Sequence, residues 1–201
     1  MSMSISYEAT GRTSQKARTR DALIGAARDL MAGGATPTVE QAAAQASIAR
    51  ATAYRYFPNQ RALLAASFPR LTDPSLLGDA PPADPLQRLE IVAEAIARQC
   101  VEHEAALRNM LRLSLEAGAP ELPFRTGRRI VWVREALAPL EGRVAPEELE
   151  RLVLAIAAAV GIDALVWLTD IGGLSRDEAV DVMRWSARSL LRAALAEHDG
   201  A

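Results

Sequence analysis

At 201 residues the chain has room for one ordinary domain, or for a small domain fused to a larger one. Half of its residues are hydrophobic, enough to bury a substantial core and to exclude disorder of the whole. A formal net charge of −2 hides a division: residues 1–70 carry nine Lys/Arg against four Asp/Glu, and residues 71–201 carry fourteen against twenty-one.

A basic first third on an acidic remainder is the asymmetry expected where one end of a protein meets a polyanion; the plain alternative is a chance excess of surface charge. The single cysteine, Cys100, excludes an internal disulfide framework and fits a reducing compartment. Residues 1–20 hold no continuous apolar stretch, so no signal peptide is expected. The longest apolar run, Leu152 to Leu168, carries Gly161 and Asp163. It falls short of the ~20 apolar residues of a membrane span and reads as one buried helix. The expectation is a cytoplasmic protein with no membrane partner.

Residues 1–13 are polar and read as a flexible tail. Leu23, Ala26, Ala27 and Leu30 then repeat at helical spacing from about Ser14 to Met31, where Gly33-Gly34 supplies a stop. Thr38 is placed to cap a short helix over Val39 to Gln45. A turn near Ser47 leads to a second short helix over about Arg50 to Phe57. Pro58 breaks it, and Asn59 can cap a fourth helix reaching Phe68.

The proline-rich stretch Leu71 to Pro85 is the domain boundary, dividing 14–69 from 70–201. Beyond it every strong pattern is helical. Pro85 behind Asp84 opens a helix to about Val101, and another runs from about Glu104 to Glu116. A break over Gly118 to Pro123 precedes a helix from Arg125 to Leu140. Pro146 opens an apolar helix ending near Ile171, and Ser175 to Glu178 forms a capping box for a last helix reaching about Ala196.

Three Phe, three Tyr and three Trp make the chain poor in aromatic rings, yet Tyr54, Tyr56 and Phe57 crowd together beside Arg50 and Arg55. Helical phase explains the crowding. At about 100° per residue, Ala53 and Phe57 share an inward face with Ile48 of the turn, while Ala51, Thr52 and Arg55 point outward. Tyr54 and Tyr56 fall on the flanks, where a ring packs on protein and its hydroxyl reaches out. Short helices need tertiary support. Two of them braced by the first helix make a helix-turn-helix, whose second helix lies in the major groove of DNA. Arg50 and Arg55 can read guanine edges or neutralise phosphates, and the two tyrosines can meet phosphates on either wall. Arg12, Lys16, Arg18 and Arg20 form either an arm toward the minor groove or part of a solvated tail.

The segment TVEQAAAQASIARATAYRYFPNQRALL, Thr38 to Leu64, resembles the DNA-binding segment of the tetracycline-repressor (TetR) family of bacterial regulators. The resemblance is specific over roughly Arg18 to Phe68. It implies an all-α protein with an N-terminal three-helix helix-turn-helix DNA-binding domain followed by a larger helical dimerisation and ligand-binding domain. It makes Arg50, Ala51 and Thr52 candidates for base contact, Tyr54 and Tyr56 phosphate or base-edge contacts, and Thr38 with its neighbours a second backbone anchor. Four positions depart from the family pattern. Ser47 stands at the usual glycine of the turn and Ala49 at the usual polar cap. Ala53 replaces the usual leucine, and Gln60 a lysine that meets phosphate, leaving the helix start and adjacent Arg61 for that contact.

Such modules act as dimers on two half-sites, and the resemblance also implies a homodimer. The last two helices are the expected interface: Leu152 to Val160 is rich in small residues, and Val180, Met183, Ala187, Leu190, Leu191, Ala194 and Leu195 form a wide apolar stripe. The alternative for that stripe is an intramolecular core. The resemblance further implies a small-molecule effector, for which Met110, Trp132 and Trp167 are candidate walls and Arg108 or Arg112 a candidate charge. Asp163, inside an apolar helix, needs either an arginine partner or a polar ligand group. With only His103 and His198, no phosphate-cradling glycine loop and no metal-ligand spacing, no enzyme activity, cofactor or metal is expected. A helical binding protein that has lost DNA contact is the remaining alternative.

Overall fold

A computed structural model describes residues 5–67, 74–115 and 127–199. Phe68, Leu71, Glu116, the expected break over Gly118 to Pro123, and Arg125 lie outside the described residues. The protein is all-α. Among the described residues the helices are α1 (Ile5–Ala32), α2 (Val39–Gln45), α3 (Arg50–Tyr56), α4 (Gln60–Ser67), α5 (Pro85–Glu102), α6 (Glu104–Ser114), α7 (Arg128–Leu137), α8 (Pro146–Ala159), α9 (Ile162–Val166) and α10 (Arg176–Asp199). A 3-10 turn, Ala138–Leu140, extends α7, and a π-helical turn, Trp167–Ile171, extends α9. Backbone contacts gather the chain into two compact units, Met1–Pro69 with Arg112–Phe124, and Arg70–Leu111 with Arg125–Ala201.

In the first unit, α1 begins at Ile5, well ahead of Ser14. Residues 5–13 have no apolar repeat, so periodicity cannot reveal this early stretch of helix. The core gathers Leu23, Ile24 and Ala27 of α1, Val39, Ala42 and Ala43 of α2, Ala53 of α3, Phe57, and Leu63 of α4. Burying a ring such as Phe57 contributes about 2 kcal/mol. Local signals set the helix ends. Thr38 and Gln41 form a reciprocal capping box at α2, with Thr38 Oγ1 accepting from the Gln41 N–H at 3.2 Å and Gln41 Oε1 accepting from the Thr38 N–H at 2.8 Å. Asn59 Oδ1 accepts from the Ala62 N–H at 2.8 Å and starts α4. At the far end of α4, Arg28 Nε donates to the Ser67 carbonyl at 2.9 Å.

The second unit packs α5, α7, α8, α9 and α10 around a core that includes Leu89, Ile96, Trp132, Leu137, Ile156, Leu165, Met183 and Leu191. Asp84 caps α5 with Pro85 at its first position. Arg88 of α5 closes the end of α7, donating to the carbonyls of Glu135 at 2.9 Å and Ala136 at 3.2 Å. Ser175 and Glu178 form the expected box at α10, the Ser175 N–H donating to Glu178 Oε2 at 2.8 Å and the Glu178 N–H to Ser175 Oγ at 3.3 Å.

One expectation changes here. The single apolar helix from Pro146 to Ile171 is broken at Val160-Gly161, and its halves bend by 42°. Gly161 has φ +155° and ψ −175°, backbone essentially reserved for glycine. Arg129 of α7 fills the opening, Nη1 donating to the Val160 carbonyl at 2.8 Å and Nη2 to Asp163 Oδ2 at 3.1 Å. The α10 stripe is divided in its burial. Val180, Met183, Ala187 and Leu191 are buried in the core of their own unit, and Leu190, Ala194 and Leu195 pack against it. Leu190, Ala194 and Leu195 keep part of their surface exposed. No single helix among the described residues is long and apolar enough to cross a membrane.

Candidate nucleic-acid interface

Residues 46–49 join α2 to α3 with a hydrogen-bonded reversal. The Ile48 N–H donates to the Ala43 carbonyl at 2.8 Å and the Ser47 N–H to the Ala44 carbonyl at 3.1 Å, the two bonds of a Schellman end. Ser47 sits at the left-handed position of that motif with φ +55°. A residue with a Cβ costs roughly 1 kcal/mol more than glycine there. Ala49 begins α3 with no side-chain cap. The helix is held instead from inside, by Ala53 and Phe57, both buried. Arg20 of α1 covers Phe57, its guanidinium carbon 5.5 Å from the ring centre. Arg12, Lys16, Arg18 and Arg20 therefore all belong to α1, and Arg20 stacks on protein.

The outer face of α3 follows the helical phase. Ala51 and Arg55 are exposed, Thr52 is half-buried, Tyr54 is 36 % exposed, and Tyr56 packs its ring partly on the core. A carboxylate that the sequence reading did not single out organises this face. Glu40, in the first turn of α2, accepts two bonds on one oxygen: the Tyr54 hydroxyl donates to Oε1 at 2.5 Å, and Arg50 Nη2 lies 2.9 Å from the same atom. Arg50 also lies over the Tyr54 ring, 5.7 Å from its centre. The Tyr54 hydrogen bond, foremost, holds the Glu40 carboxyl below its ordinary range, and the same bond raises the Tyr54 phenol. Glu40 stands 14 positions before Tyr54. Only the approach of α2 to α3 joins them, so no local signal marks the pair.

The remaining expected contacts have structural partners. Thr38 spends its hydroxyl on the α2 cap. Gln60 Nε2 donates to the carbonyls of Thr36 at 3.0 Å and Pro37 at 3.2 Å, tying α4 to the loop before α2. Arg61 Nη2 donates to the Leu113 carbonyl at 3.3 Å within the first unit, and its Nε is buried. Thus Arg50, Ala51, Thr52, Tyr54, Arg55 and Tyr56 share α3, while Gln60 and Arg61 hold the unit together.

Five of the six effector candidates belong to the second unit and Arg112 to the first. Trp132 is buried in the core of the second unit and Met110 packs against that core. Arg108 bonds Glu104 at 2.7 Å and Asp170 at 2.6 Å, and also donates to Thr169. Asp170 lowers its carboxyl pKa to about 2, chiefly through the Arg108 bond. Asp163 has the arginine partner, Arg129. Trp167 is 62 % exposed, and Arg112 is exposed in the first unit.

No family model matches the chain, and neither a curated protein nor a solved structure matches it.

Proposed function

We propose that the chain is a TetR-like DNA-binding transcriptional regulator, a repressor that holds a palindromic operator as a homodimer and is released by a small-molecule effector. In this reading α2 and α3 are a helix-turn-helix and α3 is the recognition helix. The observation that supports it is the two-sided character of α3: Ala53 and Phe57 anchor it, and Arg50, Thr52, Tyr54 and Arg55 face outward from the basic first third of the chain. Arg50 and Arg55 supply guanine or phosphate contacts, and the tyrosine hydroxyls supply phosphate contacts.

One recognition helix reads too few base pairs, so two copies bind half-sites about 34 Å apart. Much of the α10 stripe is buried within its unit, so a second copy also meets other side chains. Leu154 of α8, Trp167 and Ile171 of the π-helical turn, and Trp185 of α10 are exposed large apolar residues in the last elements of the chain. They are the side chains proposed to bury against a partner. An effector would act by binding two dimer arrangements with different affinity.

A second reading, a helical dimer with weakened DNA contact, draws on Ala49, which leaves α3 uncapped, and on Gln60, whose amide is engaged with carbonyls. Selection of bound duplexes from random DNA separates the two. The first reading expects a palindromic product whose log affinity falls steeply with log salt. Recovery of unselected sequence with no salt dependence supports the second.

A further inference from the structure

The face proposed to meet DNA carries a built-in competitor for it. Every duplex offers phosphate oxygens, whatever its sequence, and phosphate contacts supply most sequence-independent affinity. Glu40 presents the same chemistry, an anionic oxygen acceptor, to the two α3 side chains best placed to use it. Its Oε1 lies 2.9 Å from Arg50 Nη2 and accepts from the Tyr54 hydroxyl at 2.5 Å, and the Arg50 guanidinium rests on the Tyr54 ring.

We propose that Glu40 sets sequence discrimination at this interface, by holding Arg50 and Tyr54 on one carboxylate oxygen that a phosphate must displace but a guanine edge need not. The proposal rests on α3 being the recognition helix. Exchanging the carboxylate for a phosphate replaces one anionic acceptor with another and leaves Glu40 facing the polyanion, so random DNA gains little. A guanine edge is different. Arg50 has five N–H donors, and its 2.9 Å approach to Glu40 is through Nη2. The remaining donors can reach O6 and N7 of guanine while the carboxylate fixes the guanidinium plane. Glu40 thus penalises the contacts that every sequence offers and spares those that one sequence offers. Its own helix keeps its cap through Thr38 and Gln41, so Glu40→Gln is not expected to disturb α2.

The test uses the full chain as wild type, Glu40→Gln, and Asp29→Asn, which removes the same charge from α1. Each is titrated across a salt series against a duplex selected from random DNA and a scrambled duplex of equal length. Removing the surface carboxylate is expected to tighten E40Q on scrambled DNA by up to about fivefold. The log–log salt slope should steepen by about one, the increment for one more phosphate neutralised. Selected DNA gains less, so the specificity ratio falls, while D29N leaves that ratio where it was. A ratio that holds or rises in E40Q overturns the proposal. A second readout needs no DNA: the Tyr54 phenol, followed by ultraviolet or NMR titration, should ionise at lower pH in E40Q. An unmoved titration also overturns the proposal. If neither wild type nor E40Q binds any duplex at low salt, the DNA reading fails, and this inference fails with it. A wild type that binds with an unaltered E40Q ratio sinks the inference alone.

Discussion

Arg50 and Arg129 make the same bond in opposite settings. Each guanidinium meets a carboxylate, Glu40 at 2.9 Å and Asp163 at 3.1 Å. The Arg50 side chain is 73 % exposed and its other neighbour is a ring, whereas that of Arg129 is 29 % exposed and also satisfies the carbonyl left by the broken helix. An exposed pair in water is worth little and exchanges readily. A pair that also serves a part-buried backbone acceptor is costly to remove, because that acceptor is stranded. The first arrangement suits recognition. The second is architecture.

The largest test of that contrast falls on Gly161. A Cβ there would stand 1.4 Å from Arg129 Nη1. The flexible guanidinium can withdraw, but only by giving up Val160 and Asp163, and alanine resists φ +155° as well. Gly161→Ala should lower the stability of the second unit by about 3 kcal/mol, read by denaturant unfolding. Arg129→Met keeps the glycine backbone and loses only the polar partners; about 2 kcal/mol is expected in the same experiment. If it unfolds no earlier than wild type, Arg129 is no more structural than Arg50.

Arg50→Ala should leave folding within about 0.5 kcal/mol of wild type, as surface changes usually do. It should weaken selected-duplex binding by about tenfold or more if it reads a base. Ser47→Gly is smaller and of opposite sign, a gain of about 1 kcal/mol for the first unit. The end of α1 is its internal reference: Ala35 donates to Leu30 and Gly34 to Met31 in the same two-bond pattern, with Gly34 at φ +82°. The smallest effect is the pH dependence of the Glu40 tether. A carboxyl held below its ordinary 4.5 contributes stability that is full above that pH and is lost as pH falls through its folded value. Any stability difference between wild type and E40Q should therefore fade below pH 4.5.

Helix ends were legible wherever the signal was local. Thr38, Asn59, Asp84-Pro85 and Ser175 to Glu178 act over three residues, and each caps the helix its spacing announces. The inward phase of Ala53 and Phe57 was legible for the same reason. What escaped depends on distant partners. A glycine inside an apolar run costs a helix only about 1 kcal/mol, so Gly161 does not by itself announce a break. Its cause, Arg129, lies 31 positions from Val160. The α10 stripe was visible, but its breadth cannot tell a neighbouring helix from a neighbouring molecule. Glu40 is a first-turn acid of α2, and only its approach to α3 distinguishes it.

Cys100 has a use that follows from its seat in α5. The chain has one cysteine; it is buried in the core of the second unit, and burial pushes its thiol pKa up to about 11. At neutral pH it is therefore a protonated, sheltered sulfur with little nucleophilic character. A thiol reagent reaches it only when that unit opens, so the rate of alkylation clocks the opening of the core around α5.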